Sequence, residues 1–549
     1  MLKMIADFLI LMNSFHIVNT KQLEILHFTR YKCIAATPLS PLGRVGKLFQ
    51  DTPGKNRGIF LFFHWYDIIS TKEFNISGDK MAGIGFELNK LLKRNSFFSE
   101  TIAFFYSANI SAGPWIISSL TLFLIQVYIP QQNIPFLVSG IIYTFIFSTI
   151  LFGSVATSVT RYLSDLIYKK EFNNIYKLYT SSVGYAFISS GIFLTLFFLI
   201  NKISEWQKII LFSYSLIVLS IIWVQVIFIS AIRKFSPVIL SFLVGGTASF
   251  FLTLYLYKIK NEYYAYAGYN FGLMIILTIL QLYIRRYLYL GEEVEKEQKN
   301  INPPLFILSI KAYKKQALSG FFTYMAAWVD DFIAWIYFRY SISKGFVFAP
   351  QYDIPMFISY LFIIPTLSLF VLNLETEFYF YYRAFYKSIE ENRTLNFIRI
   401  SKNNLDESLY SSTKLVLAVQ FSFMLTGLIL SDSLADLLRL DSYGSTALKF
   451  GIVGAAANGI YLYISLIAHY FDLPGIPLKS SIMAFLINLF LSPLTVKRLP
   501  GIGFVIGFIF ATIYSFIRFN RIYSNLLMFE FSRNRLKLPK VGVIIHENK

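Results

Sequence analysis

The stretch Gln316–Phe338, QALSGFFTYMAAWVDDFIAWIYF, constrains the chain more than any other. It is long and apolar enough to cross the roughly 30 Å hydrocarbon core of a bilayer, yet Asp330 and Asp331 stand side by side in it. A carboxylate at that depth costs about 2.5–3.5 kcal/mol on insertion scales, so such residues face a bundle interior or a watery cavity. On a helical wheel Tyr324, Trp328, Asp331 and Trp335 fall in one narrow arc, and Thr323, Ala327, Asp330 and Ala334 form a neighbouring face of small residues. Asp331 thus belongs to an aromatic stripe of the kind that lines a sugar-handling cavity. Asp330 belongs to a surface suited to close helix contact, where pairing with a basic or amide group on another helix would fix packing. Both roles remain open for the pair.

The rest of the 549 residues supplies the setting. The chain is 55% hydrophobic and only 15% charged, where soluble domains carry about 25% charged residues. This composition describes an all-α polytopic membrane protein. Twelve spans are expected, near 101–128, 134–157, 176–200, 207–232, 237–257, 263–285, 316–341, 353–373, 412–431, 447–470, 479–496 and 501–519. The polar interruption 286–315 divides them six and six, as in transporters made of two six-helix halves. The expected organisation is an N-terminal extension 1–80, a bundle over 81–285, a cytoplasmic linker 286–315, a second bundle over 316–530 and a cytoplasmic tail 531–549. With the N-terminus inside, the inner segments hold about 28 Lys and Arg and the outer loops about 10, which orients both termini to the cytoplasm. That asymmetry accounts for the net charge of +19 without nucleic acid.

Residues 1–80 mix charges, Pro-Leu-Ser-Pro-Leu-Gly and short apolar runs without sustained periodicity. Met81 opens the basic amphipathic lead-in MAGIGFELNKLLKR, and the expected start of the protein is Met81. The first span contains Asn109 followed by Gly113-Pro114. Pro114 cannot donate a backbone hydrogen bond, so a helix break is expected there, with Asn109 a candidate for the cavity. Pro365 interrupts the eighth span, and Gly503-xxx-Gly507 reads as close helix packing. Arg161 and Asp165, four apart, read as a local ion pair at a helix end. After the eighth span Glu375, Glu377, Arg383 and Tyr386 lie in an aromatic, amphipathic segment, read as an interfacial helix or a docking surface for a cytoplasmic partner.

Motifs for other chemistries are missing. No GxxxxGK[ST] nucleotide loop, HExxH or GxSxG is present. Cys33 is the single cysteine, and the five histidines are scattered without metal-ligand spacing. No catalytic residue, metal or cofactor is expected.

Four stretches resemble the PelG family, the membrane component of Pel exopolysaccharide export systems: the Met81 opening with the following SAGPW, Thr160-Arg-Tyr-Leu-Ser-Asp165, Tyr324-MAAWVDDFIAW, and Tyr352-DIPMFISYLFIIP through Glu375-Thr-Glu377-Phe to Tyr386. They are spread over about 81–530, with 1–80 outside the resemblance. Where this chain has Asp331, relatives often carry a basic residue. The resemblance implies a flippase of the MOP type in the inner membrane, with two six-helix bundles around an alternating cavity. It implies a growing polysaccharide rich in N-acetylgalactosamine and galactosamine as substrate, in contact with membrane lipid. The implied partners are PelD- and PelE-like membrane proteins and a PelF-like glycosyltransferase. Two other functions fit the residues alone: a membrane scaffold for a polysaccharide synthase, and a cation-coupled antiporter of drugs or lipid-linked oligosaccharides.

Overall fold

Long apolar runs with ionisable residues held to their ends become helices, because in lipid each backbone N–H must find its carbonyl within the same segment. The computed structural model describes residues 107, 119–129, 133–231, 236–259, 261–288, 304–338, 340–343, 346–373 and 377–533. Residues 1–80, Asn109, Gly113, Pro114 and Glu375 lie outside them.

Among the described residues the first five membrane helices are α1 (Ser119–Tyr128), α2 (Pro135–Tyr168), α3 (Phe172–Asn201), α4 (Trp206–Ala231) and α5 (Ser236–Ile259). They are followed by α6 (Glu262–Leu288), a short α7 (Leu305–Ala312) and α8 (Lys314–Tyr337). Strands β1 (Tyr340–Ser343) and β2 (Phe346–Phe348) form an antiparallel hairpin. Then come α9 (Pro350–Ser359), a 3₁₀ turn (Tyr360–Ile363), α10 (Ile364–Asn373), α11 (Tyr379–Glu390) and α12 (Leu395–Leu437). The chain closes with α13 (Ser442–Tyr470), α14 (Gly475–Thr495), α15 (Ile502–Tyr523) and α16 (Leu526–Arg533). Ten of these segments, with Pro350–Asn373 counted as one, are long and apolar enough to cross a membrane. The two expected spans outside that ten are α1, of which only part is described, and α8, whose own lysines and aspartates lower its hydropathy.

Connections are short because helix ends close on themselves. Lys170, Lys202, Asn392, Arg439 and Asp472 adopt left-handed backbone after five helices. The next amide then reaches back five residues, as in Leu440 N to Ala435 O at 2.9 Å and Leu473 N to Ala468 O at 2.8 Å. Asp441 caps α13 by accepting from Gly444 N at 2.7 Å.

Helices α2 to α6 pack together as one bundle and α8 to α15 as another. Glycines let backbones approach: a Cβ at Gly272 would stand 2.6 Å from Gly245 O, between α5 and α6. Helix α8 is shared, packing on α2 of the first bundle and on α14 of the second. The seam between the bundles therefore runs along one face of α8.

The eighth span is interrupted beside Pro365, as expected, and two other elements depart from the sequence expectation. The eighth span is two helices joined by a 3₁₀ turn that precedes Pro365. Pro365 has no N–H to return to Leu361, so the ladder loosens one turn before the proline. The 374–411 stretch is not a lone interfacial helix: α11 folds back against the start of α12, which continues unbroken into the ninth span. The hairpin β1–β2, whose first two residues fall within the 316–341 stretch expected as a span, adds a small sheet to the otherwise helical described residues. Its Phe346 inserts against Phe136, Tyr143, Phe197 and Phe212 of the first bundle.

Candidate functional site

The paired aspartates separate as soon as α8 is placed between its two neighbours. Asp330 turns to the second bundle. Its Oδ1 accepts from Asn488 Nδ2 of α14 at 2.9 Å, and its Oδ2 from the Tyr352 hydroxyl of α9 at 2.5 Å. Asn488 Nδ2 also donates to Ala326 O at 2.8 Å, and Asn488 Oδ1 accepts from Ser492 Oγ at 2.6 Å. This polar contact is packed tightly against α15, where a Cβ at Gly503 would lie 2.2 Å from Ser492 Oγ.

The aromatic stripe faces α2 of the first bundle. Trp335 stacks on Tyr143 with ring centroids 4.3 Å apart, and the Tyr143 hydroxyl donates to Val347 O in the hairpin. Trp328 Nε1 donates to Thr149 Oγ1 at 3.1 Å. The Tyr324 ring occupies the space left by Gly153, where a Cβ would fall 2.4 Å from it. Nearer the start of α8, Thr157 Oγ1 donates to Gln316 O at 2.8 Å. The Arg161–Asp165 pair spans 3.9 Å, and Asp165 also accepts from the Tyr313 hydroxyl between α7 and α8.

A third carboxyl completes the group. Asp353, in the first turn of α9, accepts from Trp335 Nε1 at 2.9 and 2.8 Å and from Ala349 N at 2.9 Å. Asp331 Oδ2 is buried and has no hydrogen-bond partner. Asp330, Asp331 and Asp353 are 0, 1 and 0% exposed. Trp328 and Trp335 are buried beside them. Sequence reasoning placed the first two carboxyls but not Asp353, Tyr352 or Asn488. Tyr352 and Asp353 open a long apolar run and read as its polar edge, and Asn488 is an isolated amide 158 residues from Asp330.

In the α11 segment, Glu377 and Arg383 are exposed, with Phe380 between them 53% exposed. Tyr386 turns inward and donates to Glu530 Oε1 of α16 at 2.8 Å. Among the described residues no group of three or more His, Cys, Asp or Glu side chains is arranged to hold a metal ion.

Solved structures similar to this chain in fold include transporters. An inward-facing multidrug resistance MATE family transporter of the MOP superfamily superposes with a TM-score of 0.53 at 10% identity, covering 75% of this chain and 96% of that one. An outward-facing conformation of such a transporter gives 0.52 at 12% identity, covering 77% and 96%. A MATE protein in a bent conformation gives 0.51 at 13% identity, with the same shares. At these identities the likeness is one of fold: two helical bundles, in a multi-pass membrane protein. No curated protein matches the chain. The family model described as "PelG: Putative exopolysaccharide Exporter (EPS-E)" matches residues 81–531. Family and fold are those of transporters rather than enzymes, and the chain belongs to the PelG family of exopolysaccharide exporters.

Proposed function

We propose that this protein moves a growing Pel-like exopolysaccharide across the cytoplasmic membrane, through a passage between its two bundles that opens to one face and then to the other. The observation that carries this reading is the α2–α8 seam. Its buried residues are aromatic rings, hydroxyls and carboxyls, the side chains that stack on sugar rings and exchange hydrogen bonds with sugar hydroxyls. Tyr324, Trp328, Asp331 and Trp335 become the wall of the passage when the bundles separate. Asp330, tied to Asn488, holds α8 to the second bundle. Both termini lie in the cytoplasm, as the loop charges argue. The exposed Glu377 and the exposed face of α11 with Arg383 receive the glycosyltransferase, and PelD- and PelE-like proteins accompany the chain in the membrane.

The test is a gene deletion scored for polymer inside and outside the cell. Surface polymer lost while precursors are still made supports export, and normal surface polymer overturns it. Transport of lipid-linked oligosaccharide in proteoliposomes, with and without an ion gradient, separates this reading from that of a cation-coupled antiporter.

A further inference from the structure

Away from the aspartates, the start of α2 and the α5–α6 turn enclose a cavity of about 630 Å³ at one end of the first bundle. It is lined by Asn133, Tyr257, Lys258, Asn261, Glu262 and Tyr263. Its volume falls within the roughly 300–1,000 Å³ of small-molecule sites. Tyr257, Glu262 and Tyr263 are half-buried, and the other three are exposed.

Two of the half-buried side chains are held from behind. Helix α2 has no side-chain cap of its own, and Glu262 of α6 supplies one, its Oε2 accepting from Phe136 N at 3.0 Å. A carboxylate suits a helix N-terminus. The Tyr263 ring packs on Phe136 with centroids 5.8 Å apart, and its hydroxyl donates to Glu205 Oε2 at 3.2 Å. Glu205 is paired with Lys208 at 2.9 Å, and Lys208 is buried 5.7 Å from the centre of the Phe136 ring. Side chains ordered before a ligand arrives cost less to fix when it binds. Phe136 also meets Phe346 of the hairpin at 5.2 Å. Two helical turns further along α2, Tyr143 stacks on Trp335. The cavity thus adjoins one end of the α2–α8 seam.

The lining selects a class of ligand. Tyrosine rings stack on the C–H face of a pyranose, while amides, a carboxylate and an ammonium exchange hydrogen bonds with the hydroxyls on its edge. Glu262 keeps acceptor capacity beside Phe136 N, since a carboxylate offers about four acceptor sites. Lys258 and Glu262 balance in charge, so the lining favours neither an acidic nor a basic ligand. A phosphate calls for an excess of cationic donors, and a divalent cation for more carboxylate than Glu262 alone provides.

We propose that this cavity is an exit subsite, holding one uncharged pyranose residue of the polysaccharide as it leaves the seam. With both termini in the cytoplasm and one span before α2, this end of the bundle faces outward. A residue bound there opposes return of the chain into the passage. The inference rests on the exporter reading for its role, but its test needs neither export nor native polymer.

Saturation-transfer difference NMR on the full-length protein in lipid nanodiscs detects weak sugar binding. The probes are the methyl glycosides of glucose, galactose, N-acetylglucosamine and N-acetylgalactosamine, with glucuronic acid as the charged comparison. At least one neutral probe should receive saturation, and more than glucuronic acid does. Tyr257→Ala should weaken its binding at least tenfold. In a Cys33→Ser background, a nitroxide on Asn133→Cys should broaden the probe's resonances, and one on Met528→Cys, exposed on α16, should not. No transfer to any neutral probe overturns the proposal whether or not the variants fold. Stronger binding of glucuronic acid, equal broadening from the two nitroxides, or undiminished binding by folded Tyr257→Ala overturns it equally. A deletion strain with normal surface polymer would sink the exporter reading while leaving a sugar located in this cavity as support for the site.

Discussion

Trp335 and Tyr143 stack across the two bundles, rings 4.3 Å apart and inclined by 27°. The same indole donates to Asp353. Trp335→Phe keeps a ring in the stack and deletes the donor. Loss of a hydrogen bond to a carboxylate costs about 2 kcal/mol, so a lower unfolding midpoint is expected in detergent. Tyr143→Phe removes only the hydroxyl bonded to Val347 and should cost about 1 kcal/mol. Equal effects from the two would contradict this division.

Asp330 and Asp331 should fail differently. Asp330→Asn or Asn488→Ala disturbs the α8–α14 contact, with about 1–3 kcal/mol lost where a buried acceptor loses its donor. Folded yield should fall first. Asp331→Asn keeps the shape of the seam and should reduce export with near-normal yield. Fluorescence-detected size exclusion beside a surface-polymer assay reads both, and the reverse pattern would overturn the assignment.

Gly503→Ala places a Cβ 2.2 Å from Ser492 Oγ and 2.8 Å from Asn488 Oδ1. Overpacking of this kind costs about 1–3 kcal/mol. Adding Ser492→Ala removes the nearest obstructing atom and should recover part of the loss, while Asn488 stays to serve Asp330. A double-mutant cycle on thermal midpoints measures the coupling. Strict additivity would show that α14 and α15 yield more easily than their spacing indicates.

Glu205, in the turn before α4, is held below the ordinary carboxylate range by its hydrogen bond to Lys208, at 2.9 Å. A carboxyl whose folded pKa lies below its unfolded one contributes stability that is fully present above the unfolded pKa. That contribution disappears as the pH falls through the folded pKa. Glu205→Gln should therefore be less stable than wild type at neutral pH, with the difference closing in acid. Because Glu205 is largely exposed, the gap is small. A constant gap across the acid range would assign the effect to packing.

The outer face of α11 offers Glu377, Phe380 and Arg383 to the surrounding medium. Arg383→Glu should weaken retention of the cytoplasmic glycosyltransferase in pull-downs while leaving folded yield unchanged. Tyr386→Phe should act the other way, loosening α16 through loss of the bond to Glu530. Unaltered pull-down with Arg383→Glu would remove α11 as the docking face.

Much of this architecture is written in local patterns. Apolar runs bounded by Lys, Asn and Asp mark the helices, since lipid leaves a buried backbone few other solutions. The split of Asp330 and Asp331 follows from 100° per residue. The partners of these residues were not legible. Asp353 returns to Trp335 only because a hairpin reverses the chain after α8, and Asn488 reaches Asp330 because α14 packs on α8. Neither event leaves a periodic signal. The hairpin was missed because Tyr340 and Ser341 read as the end of a span and the strands are only four and three residues long. The reach of α12 was missed because polar residues over 395–411 look like a loop until α11 is seen packed along them.

Helix α12 has 43 residues and no break, which makes it about 65 Å long, twice what the hydrocarbon core requires. Beside it in the same bundle, Pro350–Asn373 is jointed at Tyr360–Ile363. One is a rod and the other a hinge. A load applied to the α11–α12 end, beyond the apolar stretch, would pass along the rod, while the jointed span beside it could bend without lengthening.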